Sequence, residues 1–397
     1  HSHSHSGPLE LSAAEARRAR LVLAAIVVPL IIATLAGLAV LWPSRSSLVG
    51  SRPFAAEGAT LETAEITSLD VDDCKQAAAS LGALSDGSLL TDAVCARITS
   101  GKGRGLTLPV HIPAESRPPA DVGDRLRVMY TPQVFVDYVR KAPVAALAVV
   151  YLVLVVAVAG RRGALSVLGL VLATAVLVFF MIPALLELAS PMWVTLVGSM
   201  AMMLLAVYVA HGVSVRTTTA LLGTVAGVVI TVAGSLWGVG AANLTGAVGD
   251  DVLALSSLVP GLSLRALLTC GMVIAGLGVL NDVTITQASA VWELHAANPA
   301  LGRARLFTGG MRIGRDHIAS TVYTLAFAYA GTALPLILSA SLIDRAVVDT
   351  LLSGEIAEEI VRTLVSSIGL VLAIPATTAI AALLCRTTPV ASPRDRS

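Results

Sequence analysis

A stripe of polar residues runs through one of the most apolar parts of the chain. Its members are Gly278, Asp282, Thr286, Ser289 and Glu293. Their spacing of four, four, three and four residues puts them on one face of an α-helix. Asp282 lies about ten residues from Trp292, an aromatic residue typical of a membrane interface, and therefore about 15 Å from it along a helix. A carboxylate at that depth must be protonated, paired or in contact with water.

A second polar set follows in the next apolar segment. Its members are Asp316, Ser320, Tyr323 and Thr324. These residues share a helical face, and we expect that face to meet the first stripe and form a polar seam across the inner half of a bilayer. Such a seam suits a proton or cation path, in which Asp282 is the ion-binding group, Asn281 lines the same path and Glu293 is an inner relay.

Each of these residues also has a structural interpretation. Serine and threonine in membrane helices often bond to their own backbone or hold helices together. Glu293 and Asp316 lie near the inner surface, where a solvated carboxylate is ordinary, and Asp316 is also placed to cap a helix that begins there. For Asp282 the structural alternative is pairing within the bundle.

The composition places these residues in a membrane protein. Apolar residues make up 55% of the 397 residues and charged residues 13%, which is about half the usual share in a soluble domain. Stretches of about 20 apolar residues are long enough to cross the hydrocarbon core. There are eight of them: Leu21–Trp42, Pro143–Gly160, Gly163–Leu188, Met192–His211, Thr217–Val239, Leu262–Trp292, Ile318–Ile343 and Leu364–Cys385. The sequence therefore predicts an all-α polytopic membrane bundle of eight transmembrane helices with a small β-rich extracytoplasmic domain.

Arginine in the short connections predicts the orientation, because cytoplasmic loops are enriched in basic residues. Arg17, Arg18 and Arg20 precede the first span, and an even number of spans returns the C-terminus to the same side. We therefore expect a multi-pass protein of a bacterial plasma membrane with both termini in the cytoplasm. The predicted segments are a tag remnant (1–8), a cytoplasmic N-terminus with an anchor helix (9–42), the extracytoplasmic domain (43–141), a seven-helix membrane domain (142–386) and a cytoplasmic tail (387–397).

The external segment mixes strand and helix patterns. Three stretches are rich in β-branched residues and bounded by glycine or proline: Ala59–Leu69, Gly105–Ile112 and Asp124–Tyr130. Two others, Asp70–Leu81 and Leu89–Ile98, have helical patterns, and each holds one cysteine. In an extracytoplasmic domain we expect a Cys74–Cys95 disulfide, the alternative being two free buried thiols.

No enzyme signature is present in the sequence. The chain has no HExxH, GxSxG, Walker lysine loop or CxxC motif. Its formal net charge of +1 gives no indication of nucleic-acid binding. We expect no enzyme, no metal site and no cofactor, so any pumping would need an ion gradient or a partner ATPase.

The sequence resembles the YibE/F family of bacterial membrane proteins from about Asp137 to Ala382. The resemblance is carried by Gly271–Leu294 around Asp282, by Gly314-Arg315-Asp316 and by Ser367-Ile-Gly-Leu with Ile374-Pro375. Asn281, Gln287 and His317 stand where an apolar residue is commoner in the family, and Tyr323 where asparagine is. The resemblance implies a multi-pass topology. By fold-level analogy only, the arrangement is also similar to proton-driven protein-export and resistance-nodulation-division proteins.

These observations lead to two function hypotheses. The first is an ion- or proton-coupled membrane transporter or export factor of the cell envelope. The alternative is a non-transporting scaffold or assembly factor that presents the extracytoplasmic domain to an envelope protein partner. The lipid bilayer is the expected partner of the membrane domain in both cases.

Overall fold

The computed structural model describes residues 13–44, 49, 60–74, 93–113, 116, 120–129, 134–344 and 346–385. The expected tag remnant (1–8), most of the predicted helical insertion (75–92) and the predicted tail (387–397) lie outside the described residues. The chain divides into two compact units. Val49–Ala157 form one unit, and His1–Leu48 with Val158–Ser397 form the other.

The first unit contains a five-stranded antiparallel sheet. Its strands are β1 (Leu61–Ser68), β2 (Ala93–Ile98), β3 (Thr107–His111), β4 (Arg125–Met129) and β5 (Val134–Tyr138). They lie in the order β3-β2-β1-β4-β5. Alternate residues of β1, such as Ala64 and Ile66, are buried while their neighbours are less so. This period of two is typical of a sheet with one covered face, and here that face packs around Leu108, Ile112 and Leu126.

The three predicted strands are confirmed as β1, β3 and β4, but the helix predicted over Leu89–Ile98 is wrong where the structure describes it. Ala93–Ile98 form β2, which pairs with β1 on one side and with β3 on the other. Val94, Ala96 and Ile98 fill the sheet core. Burial between two strands overrides the local helical pattern, as is common for short apolar segments.

The predicted disulfide between Cys74 and Cys95 is confirmed, with Cα atoms 5.8 Å apart. Cys74 ends a short 3₁₀ helix, Val71–Cys74, which is the described part of the first predicted helix. Cys95 lies inside β2. The bond therefore joins the start of the segment 75–92 to the strand that follows it.

Replacing both cysteines, as Cys74→Ser with Cys95→Ser, is expected to lower the free energy of unfolding of this unit by about 3 kcal/mol. The bond closes a loop of 21 residues, and freeing that loop raises the entropy of the unfolded chain. Thermal unfolding of the full chain with and without a reductant measures the effect. Cys270→Ser, at a free buried cysteine, is the control that should not alter the response to the reductant.

The second unit is helical. The α-helices of the described chain are α1 (Ala13–Val40), α2 (Lys141–Val176), α3 (Ile182–Leu186), α4 (Pro191–His211), α5 (Val215–Ala241), α6 (Asp250–Leu258), α7 (Leu264–Ala297), α8 (Arg303–Thr332), α9 (Leu334–Ser341), α10 (Val347–Leu351) and α11 (Gly354–Leu384). The first part of α2 belongs to the sheet unit. A π-helical turn, Leu177–Met181, joins α2 to α3. Within the described residues six helices are long and apolar enough to cross a membrane, or seven if the bent pair α8–α9 counts as one span.

Two breaks interrupt the long helical runs. Gly160 has non-helical dihedral angles (φ 57°, ψ −139°) inside α2, and a positive φ costs glycine little. The axes of α8 and α9 differ by 62°. Pro335 accounts for this second break, because it has no N–H to donate to Gly331 and its ring clashes with that carbonyl.

The centre of the helical unit is formed by α5, α7 and α11, which approach closely at small residues. A side chain at Gly223 would collide with Thr377, and one at Gly369 would collide with Thr231. A side chain at Gly227 would likewise meet Leu280. The hydroxyls of Thr231 and Thr377 at these close contacts are buried, and each donates to a carbonyl oxygen of its own helix.

Candidate functional site: the polar face of helix α7

Helix α7 is buried on one side and open on the other, and its open side carries the predicted stripe. The exposed residues of α7 are Arg265, Gly278, Asp282, Thr286, Glu293, Ala296 and Ala297. No large apolar side chain of α7 is exposed. Helix α1 is the opposite case, since Leu21, Ile32 and Leu35 are each at least 60% exposed. The exposed side of α1 is typical of a lipid-facing surface, whereas that of α7 is typical of contact with water or protein.

The second predicted set lies on the open side of α8. Asp316, Ser320, Tyr323 and Thr324 are all exposed, while the buried stripe of α8 consists of Leu306, Gly310, Gly314, Thr321 and Leu325. Helix α8 begins at Arg303 after Gly302. The interpretation of Asp316 as a helix cap is therefore wrong, because it lies more than three turns inside the helix.

Contacts between α7 and α8 show which predicted residues of the two helices lie at the same height along the helix axes. Gly310 lies against Val291, and Gly314 lies against Gln287. The two helices are antiparallel neighbours, so the same register puts Thr286 at the level of Asp316. One turn further, Asp282 is at the level of Ser320.

The two stripes are not joined by any hydrogen bond between the side chains described. The Thr286 hydroxyl donates to the Asp282 carbonyl oxygen at 2.8 Å, and the Thr324 hydroxyl donates to the Ser320 carbonyl oxygen at 3.1 Å. Both hydroxyls therefore keep lone pairs free on the open side while their protons are held by the helix backbone.

Asn281 and Ser289 are placed differently from the rest of the stripe. Both are half-buried, and the Asn281 side-chain oxygen is buried without a donor among the described residues. Asn281 thus lies at the boundary between the open face and the core. An unbonded buried oxygen of this kind is a point where a donor from water or an ion would be favourable.

Glu293 forms an ion pair with Arg216 at the start of α5, at 2.8 Å between Nη2 and Oε1. The side chains are 66% and 33% exposed, respectively. A pair this exposed contributes little to stability. The pairing gives the residue predicted as an inner relay a fixed cationic neighbour.

A buried polar residue of α7, Gln287, was not among the predicted site residues. Gln287 is 2% exposed. Its Nε2 donates to the Gly310 carbonyl oxygen at 2.9 Å and to the Thr378 hydroxyl at 2.7 Å. Gln287 therefore ties α7 to both α8 and α11. The helical period could have identified Gln287 as buried, because its spacing puts it on the same side of α7 as Val283 and Val291 and not on the side of Asp282.

A second buried contact joins α7 to α5. The Thr284 and Thr224 hydroxyls are 2.6 Å apart, and Thr224 also donates to the Ala220 carbonyl oxygen. Together with Gln287, this contact bonds the inner side of α7 to α5, α8 and α11. Interhelical bonds of this kind hold membrane helices in one register.

The segment before α2, within the sheet unit, has a perturbed carboxyl group. The backbone N–H of Tyr138 donates to Asp137, and so does Arg140, at 2.8 Å and 2.7 Å. These two bonds hold the pKa of Asp137 below its ordinary value. Burial raises the pKa of the neighbouring Tyr138.

No group of three metal-ligating side chains occurs among the residues that the structure describes.

Comparison with known proteins adds one match. The model of the YibE/F-like protein family matches residues 147–387, which is more than half of the chain and includes α7, α8 and α11. No curated protein and no solved structure is significantly similar to the chain. The polar face therefore lies within the part of the chain that defines the relationship, and the chain belongs to the YibE/F-like protein family.

Proposed function

We propose that the protein is an ion- or proton-coupled transporter or export factor of the bacterial plasma membrane. The observation that carries the proposal is the open side of α7, which exposes Asp282 and Thr286 but no large apolar side chain. A charged group that faces hydrocarbon is costly. We therefore infer that this side of α7 contacts water or protein and not lipid. Asp282 is the proton- or cation-binding group on that face.

The remaining predicted residues extend the path in both directions. Asp316, at the level of Thr286, and Ser320, at the level of Asp282, supply oxygen atoms on the neighbouring helix. Glu293, held by Arg216, is the inner relay. Oxygen ligands from carboxylates, hydroxyls and water suit protons and hard cations, and protonatable chains of this type recur in pumps and transporters.

The proposal includes eight spans and an extracytoplasmic sheet unit. The 46-residue apolar run Lys141–Leu186 counts as two spans if the chain turns at Gly160, directly before Arg161 and Arg162. With the bent pair α8–α9 counted as one span, the total rises from six to eight. An even number puts both termini in the cytoplasm, in agreement with the arginine-rich connections. The sheet unit would then lie outside, where the disulfide is favoured.

The test is ion flux in proteoliposomes under an imposed pH gradient. Wild-type protein is expected to carry a proton or cation flux that Asp282→Asn reduces at least about a hundredfold, because the amide has no titratable proton. The matched control is Asp251→Asn, an exposed acidic residue of α6 away from the polar face. Flux that Asp282→Asn leaves unchanged would contradict the assignment of Asp282.

The second candidate function is a non-transporting scaffold that presents the sheet unit to an envelope protein. The observation in its favour is that the hydroxyls of Thr286 and Thr324 are bonded to their own helices, as structural threonines are. Exchange of residues 142–386 for an unrelated anchor would preserve function under this alternative. The same exchange would abolish function if the membrane domain is a transporter.

A further inference from the structure

A cavity of about 510 Å³ lies beside the break between α8 and α9. It is bounded by α8, α9, α10 and α11. Aliphatic side chains form most of its wall, among them Ala330, Ala333, Ile337, Leu351 and Ile360. The volume falls within the range of about 300–1,000 Å³ that is usual for small-molecule sites.

The 62° bend at Pro335 creates this space. After the bend, α9 turns away from the line of α8. The backbone hydrogen bonds resume at once, since Ala333 donates to Tyr329 and Ile337 donates to Ala333, each at 2.9 Å. The cavity is therefore bounded by regular helix on both sides of the break. Interrupted helices are a recurrent way of building binding sites in membrane transporters.

The wall has few polar groups, namely the hydroxyls of Ser341, Thr350, Thr363 and Tyr329 and the carboxylate of Glu359. The hydroxyls of Ser341, Thr350 and Thr363 donate to carbonyl oxygens of their own helices. They can therefore only accept hydrogen bonds from a ligand. Glu359 is the charged side chain among the lining residues.

The surrounding segment is acidic as well. From residue 344 to residue 362 the sequence has five acidic residues and two arginines, which gives a formal charge of −3. Arg362 lies 3.5 Å from Glu359, and both side chains are about one-quarter exposed. Arg362 balances one of these acidic groups, and the segment keeps an excess of negative charge beside the acceptor hydroxyls of the wall, which favours a cationic group.

We propose that this cavity binds an amphiphile with a single hydrocarbon chain and a cationic headgroup, the chain against the aliphatic wall and the headgroup beside Glu359. Apolar walls with one charged residue are the usual composition of such sites, in which the charge orients the ligand. The inference does not depend on the proposed ion path, because the cavity shares no residue with the polar face of α7. It concerns binding and holds whether or not an ion moves through the protein.

The test is equilibrium binding of radiolabelled dodecyltrimethylammonium to the full chain in phosphatidylcholine nanodiscs. We expect saturable binding above the partitioning into empty nanodiscs. Dodecyl sulfate, with the same chain and a negative head, should bind at least tenfold more weakly. Glu359→Gln should weaken cation binding about tenfold and leave the binding of dodecanol unchanged, because a neutral headgroup gains nothing from the carboxylate.

A pair of tryptophan substitutions on α8 tests the location. Ala330→Trp fills the cavity and should reduce binding to the level of empty nanodiscs. Ala328→Trp should not, because Ala328 is equally exposed on the same helix but lies outside the lining. Equal binding by the two variants, or equal affinity for the cation and the sulfate, would overturn the proposal. Glu359→Gln leaves the cavity volume almost unchanged, so its result decides the headgroup even if Ala330→Trp fails to fold.

Discussion

A thiol introduced as Thr286→Cys should react with a charged, water-soluble methanethiosulfonate reagent about a hundredfold faster than one introduced as Ile32→Cys. Both positions are exposed on helices long enough to cross a membrane. Only the thiolate reacts, and it forms readily where water solvates it and poorly against hydrocarbon. A desolvation shift of about two pKa units alone gives a hundredfold difference in the thiolate fraction.

Labelling is measured by mass spectrometry of the protein in native membranes. Thr284→Cys is the matched control on the same helix, because Thr284 is buried against Thr224 and should be labelled slowly. The two native free cysteines, Cys270 and Cys385, are buried and should give a low background. Equally slow labelling at positions 286 and 32 would mean that the α7 face is covered by lipid or by tightly packed protein, and would remove the basis of the proposed ion path.

Gln287→Glu should destabilise the helical unit by several kcal/mol and greatly reduce the yield of folded protein. The wild-type amide donates two hydrogen bonds, to Gly310 and to Thr378, from a position that is 2% exposed. An ionised carboxylate there would face the same two oxygen atoms without a proton to share. Leaving a charge buried and unpaired costs about 3–5 kcal/mol.

Thermal unfolding in detergent, followed by light scattering, measures this loss. Glu293→Gln, on the exposed side of the same helix, is the matched control and should cost less than about 1 kcal/mol, because its ion pair with Arg216 is largely solvated. Wild-type stability of Gln287→Glu would show that water reaches Gln287. The path would then run through the core between α7, α8 and α11 and not along the open face.

Several features of this protein follow from the sequence because their causes are local. An apolar run of about 20 residues must be helical and within a membrane or a core, since its backbone groups need partners. Alternating burial in β1 follows from the period of two in its residues. The stripe from Asp282 to Glu293 likewise follows from the helical period, which is why Asp282 and Thr286 lie on one side of α7 in the structure.

The sequence was insufficient where a residue's state depends on its neighbours in space. Ala93–Ile98 have a pattern compatible with a helix, and pairing with β1 and β3 makes them a strand. Helix α8 begins at Arg303, fifteen residues before the predicted apolar span, because Leu306, Gly310 and Gly314 contribute to one buried stripe. A partly charged amphipathic segment forms a stable helix only when another part of the protein packs against its apolar face.

The same reasoning separates Asp282 from Gln287. Periodicity places them on different sides of α7, but it does not say which side packs against the bundle. Contacts with α5, α8 and α11 bury Gln287 and leave Asp282 open. The sequence determined the membrane class, the family and the composition of each helix face. Only the tertiary structure decided which faces are covered, because burial depends on helices that are distant in the chain and close in space.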